Sequence, residues 1–179
     1  MLTEKERERA IQRLTLTQQQ LLDAVQGVTE TQARWKPAPD RWSILEYVEH
    51  LAISDDELVA MIQRSLDTPA RPETAEERKA REQKIRETPI PRGANRAPET
   101  LQPGGHFKSL ADAVSAFLAA RKRTLEYART TQDDIRSHFT NHGVLGPMDG
   151  YQWLNGNAHH VETHSAHIKE IREMPGFPA

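Results

Sequence analysis

The sequence predicts an all-α four-helix bundle, and two observations carry that prediction. Four long segments repeat apolar residues at helical spacing behind capping residues, and no segment shows the alternation of a strand. Composition agrees: 36% hydrophobic, 6% aromatic and 28% charged residues suit a helical protein with solvated outer faces. A length of 179 residues suits one domain, 1–179. The first helix runs from Thr3 to Val25; Thr3 and Glu6 form a capping box, and Ile11, Leu14, Leu21, Leu22 and Val25 form the stripe. Pro37 and Pro39 break the chain. A second helix, Ser43 to Leu66, opens on Ser43 with Glu46 and buries Ile44, Val48, Leu51, Leu58 and Ile62. The third, Ser109 to Arg129, carries Leu110, Val114, Phe117, Leu118 and Leu125. A turn, "DDIRSHF", and a loop, "NHGVLGP", lead to the fourth, capped by Asp149 with Gln152 and ending before Pro175.

Residues 67–108, between the second and third helices, differ in kind. They are rich in charge and proline and poor in large apolar side chains, which predicts a flexible inserted segment with a short solvated helix near Glu73–Arg86. We read it as a mobile surface loop in preference to a lid or partner arm.

Several function classes are excluded. A net charge of −2 offers no basic footprint for nucleic acid. No apolar run approaches the roughly 20 residues that span a membrane, and "MLTEKERERA" lacks the apolar region of a signal peptide. The expected setting is cytoplasmic. With no cysteine, a transition metal would have to be held by imidazole and carboxylate.

Histidine supplies the main chemical signal. Four of the eight histidines fall within nine positions, 159–167. At about 100° per residue, Leu154, Ala158, Val161 and Ile168 define the core direction of the fourth helix. Trp153, Asn157, His160, His164 and Ile171 lie along one flank, while His159 points elsewhere. His160 and His164, one turn apart, can present two ring nitrogens to one ion. His50, at the margin of the apolar arc of the second helix, is the best-placed third ligand. The opposing reading is three solvated or hydrogen-bonded histidines, and spacing by itself leaves both open.

Two segments carry a resemblance. "RWSILEYVEHL" (41–51) resembles the W-S-x-x-E-x-x-x-H-L opening of the DinB-like (YfiT-like) metalloprotein superfamily, and "HHVETHSAHI" (159–168) resembles its later H-x-x-x-H-x-x-Q/H-I motif. "HGVLGPMDGYQWL" (142–154) resembles the stretch leading into the second motif. The resemblance implies a four-helix bundle with an ion near one end, held by His50, His160 and His164. It further implies a small-molecule substrate, a low-molecular-weight thiol as cosubstrate, and a homodimer. His167 stands where glutamine is frequent in the family.

Three imidazoles would leave a divalent ion, zinc or nickel, with an open position and its full charge, able to activate water or a thiol. The implied function is a metal-dependent transferase of the thiol S-transfer type, or a hydrolase. The alternative is a non-catalytic metal-binding or stress-response binding module. Candidate catalytic residues are Glu46, Asn157 and His167. For Glu46 the preferred reading is the cap of the second helix with Ser43, whereas Asn157 is equally placed to bond within the bundle. Trp42 and Trp153 are candidates for pocket walls or for ordinary packing, and the loop residues His106 and His142 have no assigned role.

Overall fold

The computed structural model describes residues 1–88 and 97–179. Four long helices build the bundle: α1 (Glu4–Val25), α3 (Ile44–Ser65), α5 (Leu110–Thr130) and α6 (Gly150–Arg172). Two shorter helices, α2 (Glu30–Arg34) and α4 (Ala75–Glu87), lie in the connections. Capping boxes open α1, α3 and α6 at Thr3, Ser43 and Asp149, and Ser109 caps α5. Each satisfies backbone N–H groups that the first helical turn leaves without a partner.

α1 and α3 each pack against both α5 and α6, closing a ring of four. The buried line of α1 is Ala10, Leu14, Thr17, Leu21 and Ala24. Ile11, Leu22 and Val25, expected in its stripe, lie half-buried on the margin. Ala10 and Ala24 fill the small places on that line, and the longer Ile11, Leu22 and Val25 cover its margin. A fully buried side chain such as Leu14, Leu51 or Phe117 contributes roughly 1.5–3 kcal/mol.

Two core clusters fix the helix directions. Residues 44–52, 110–117, 161–171 and 21–24 contribute to one; residues 58–62, 125–128, 154–158 and 10–14 contribute to the other. α3 and α5 therefore run in the same direction, and α1 and α6 run against them. Parallel neighbours of this length oblige the connecting chain to return the length of the bundle, roughly 30 Å. The 67–108 segment is that crossover, and residues 89–96 of it lie outside the described residues. The short helix anticipated within it is α4. Its Arg81 bonds Asp149 (2.9 Å) and Gln152, and its Glu82 accepts from Arg136 (2.8 Å).

One element departs from the all-helical expectation. β1 (Phe139–His142) and β2 (Gly146–Asp149) pair antiparallel into a hairpin leading into α6. The His142 Nδ1 lone pair accepts from the N–H groups of Val144 and Leu145, both at 3.1 Å, and so closes the loop between the strands. Each strand has four residues, too few for a readable alternation. No described helix is long and apolar enough to cross a membrane.

Candidate metal centre

His50 lies in the second turn of α3, and His160 and His164 lie one turn apart on α6. Because α3 and α6 pack antiparallel, the three rings meet. One ring nitrogen from each lies within 4.8 Å of the other two. His50 Nε2 is 3.0 Å from His160 Nε2, which is 2.9 Å from His164 Nε2. His50 is buried; His160 and His164 are half-buried.

The hydrogen-bond chemistry of the three rings suits a cation. His50 Nδ1 is 2.7 Å from the carbonyl oxygen of Leu101. A carbonyl can only accept, so Nδ1 carries the proton and the Nε2 of neutral His50 presents a lone pair. His160 Nε2 carries either one proton or one lone pair. With neutral rings, it can therefore make a well-aligned hydrogen bond to one of its two Nε2 neighbours, not to both at once. Replacing the proton by a cation removes the conflict. Two nitrogens each about 2.0–2.1 Å from a shared ion can be up to about 4.2 Å apart, and the observed 2.9 and 3.0 Å separations fall inside that limit. The three-histidine group could hold a metal ion.

Burial keeps the rings neutral. Loss of water drives the pKa of His160 down to about 3 and that of His164 to about 2, helped by repulsion from the neighbouring imidazoles. His50 is lowered too, by burial, against the opposing hydrogen bond to Leu101. Near neutral pH a metal would meet three unprotonated donors.

The surroundings orient the site. Trp42 lies with its ring centre 4.9 Å from that of His50, and Tyr47 lies 5.1 Å from His164. These rings form one wall. Trp153 instead packs on His142, at 5.5 Å, below the hairpin. His167 Nδ1 is 3.4 Å from His164 Nδ1, which places it behind that ring and against Tyr47. His159 is exposed and bonds Glu162 at 3.3 Å.

Glu46 and Asn157 hold positions in the frame. Glu46 accepts from the Ser43 backbone N–H (2.8 Å) and from Lys36 (2.7 Å). Burial tends to raise the pKa of its carboxyl, but these hydrogen bonds prevail and hold it below the usual range. Asn157 Oδ1 accepts from Arg121 Nη2 at 2.8 Å. Arg121 is fully buried and pairs with Asp55 through Nε (2.8 Å) and Nη2 (2.5 Å), while its Nη1 donates to the Leu14 carbonyl (2.9 Å). Sequence reasoning missed Asp55 and Arg121, because a single charge near an apolar stripe reads as a margin residue until its partner on another helix is known. It also missed Glu49, a buried carboxylate beside His50.

Comparison with known proteins points the same way. A model of the DinB superfamily matches residues 13–168. The chain is also 25% identical over 151 residues to a protein of Bacillus subtilis (strain 168) described as uncharacterized protein YuaE. That match covers 83% of this chain and 88% of the relative.

Proposed function

The chain belongs to the DinB superfamily, and from that premise we propose that His50, His160 and His164 hold one divalent ion, zinc or nickel, in a metal-dependent transferase of the thiol S-transfer type or a hydrolase. The observation that carries this reading is the convergence of three Nε2 atoms whose hydrogen-bonding needs cannot all be met by protons. Among the described residues, no fourth histidine, carboxylate or cysteine joins the group. Three-ligand sites leave a position for substrate or water, whereas structural zinc sites are usually closed by four protein ligands.

When bound, the ion would supply Lewis acidity for activating a water or thiol nucleophile. The protein's own side chains prepare that chemistry. Leu101 fixes the His50 tautomer with its Nε2 lone pair toward the site. Neutral imidazoles leave the charge of a divalent ion uncompensated, and the Trp42–Tyr47 wall shields one side from water. Because the chain has no cysteine, a reacting thiol would arrive as cosubstrate. In S-transfer its proton leaves, its sulfur bonds the electrophilic carbon, and the leaving group departs with the bonding pair. His167, packed edge-on against His164 and tilted against Tyr47, is our candidate for contacting substrate or relaying that proton. Glu46 and Asn157, committed to the cap and the core, serve this reading through position.

The test starts from protein purified without a histidine tag. Elemental analysis is expected to find about one zinc or nickel per chain, followed by turnover in a panel of thiols and electrophiles that chelation abolishes and metal restores. Tightly held metal with no turnover anywhere in the panel would favour a non-catalytic metal-binding module. Protein that takes up neither metal would refute both readings.

A further inference from the structure

Glu49 points away from the imidazole cluster, by about one 100° step from its neighbour His50, and is almost wholly buried at 1% exposure. A carboxylate removed from water needs hydrogen bonds in return. Its Oε1 finds two, from the backbone N–H groups of Gly104 (2.8 Å) and His106 (2.9 Å). The same short stretch supplies the Leu101 carbonyl that accepts from His50 Nδ1. Residues 101–106 thus form a strap across the first half of α3, bound at one end by His50 and at the other by Glu49. Gly105 turns the strap between the two N–H donors at φ 75°, a conformation that disfavours a side chain.

We infer that Glu49 is a positioning residue for the metal centre: by holding the strap at Gly104 and His106, it keeps the Leu101 carbonyl against His50 Nδ1 and so fixes which His50 nitrogen faces the site. The inference rests on the proposed metal reading for its consequence, since the His50 tautomer matters most if Nε2 binds an ion. The coupling runs through backbone atoms, so a change at Glu49 reaches His50 without touching an imidazole. It also places the last part of the crossover in the surroundings of the site, giving that stretch a task that composition did not reveal.

The experiment measures the His50 tautomer by nitrogen-15 NMR in metal-free protein and zinc affinity by competition titration. The wild type is expected to hold His50 as the Nδ1–H tautomer. Glu49→Ala is expected to give a tautomer mixture and, as for other lost outer-sphere partners, about 10–100-fold weaker zinc binding. Glu49→Gln keeps an acceptor oxygen and is expected to restore most of both. Should Glu49→Ala fail to fold, Gly105→Val perturbs the strap from its solvent side, where a Cβ meets nothing within 4 Å, and is expected to reproduce the mixture. An unaltered Nδ1–H tautomer and wild-type zinc affinity in folded Glu49→Ala, or in Gly105→Val where the first does not fold, would overturn the inference. A wild type that binds neither zinc nor nickel, yet whose His50 tautomer still responds to Glu49→Ala, would refute the metal reading and uphold the strap.

Discussion

Asn157 and His160 are three residues apart on α6, yet they belong to polar clusters with opposite hydrogen-bond balances. Around Asn157, Arg121 distributes its donors to Asp55, the Leu14 carbonyl, Thr17 and Asn157, and Thr124 donates to the other Asp55 oxygen at 2.7 Å. Donors meet acceptors, and α1, α3, α5 and α6 are tied together at their centre. Around His160, three ring nitrogens converge where one proton can serve a single contact. A balanced cluster in a bundle core is complete as it stands. An unbalanced one could be completed by a cation, and that difference separates frame from candidate site more sharply than burial does.

Exchanging the two behaviours by mutation would break the comparison. The largest effect is expected at the site: His50→Ala, His160→Ala or His164→Ala each removes one of three donors, and metal titration should show near-complete loss of binding while the helical fold persists. Next comes the frame. Asp55→Ala leaves the Arg121 guanidinium buried and uncompensated, which is expected to destabilise the fold by about 3–5 kcal/mol in denaturant unfolding, while the folded fraction still binds metal. Loss of metal from Asp55→Ala at unchanged stability would mean the two clusters are one. A smaller effect is expected behind His164, where His167→Ala should weaken metal binding or activity by about 10–100-fold. His159→Ala should leave both unchanged, because its ring is exposed and bonded to Glu162.

The sequence made the bundle readable where side chains interact locally. Caps at Thr3, Ser43, Ser109 and Asp149, with the stripes behind them, place the four long helices within a residue or two of their observed ends. A similar signal was present at Thr29 with Gln32, whose capping box opens the five-residue α2, but no apolar stripe follows to draw attention to it. The histidine cluster was legible in part for the same local reason: four-residue spacing aligns His160 with His164, while His50 was singled out by its place at the margin of the α3 apolar arc and by the family resemblance of the segment around Trp42. Relations between elements were hidden. The pairing of Asp55 with Arg121, the grip of Glu49 on the strap and the parallel course of α3 and α5 all depend on how separate segments meet. For that reason the long charged segment read as an insertion, although a chain crossing between parallel helices has to be long.

The central claim is that three imidazoles share one ion, and X-ray absorption at the metal edge tests it most directly. Untagged protein loaded with one equivalent of zinc should show a first shell containing three imidazole nitrogens, completed by light atoms from solvent. The same measurement on His160→Ala should lose that signature. A wild-type spectrum with fewer than two imidazoles, or one that survives the loss of His160 unchanged, would contradict the account.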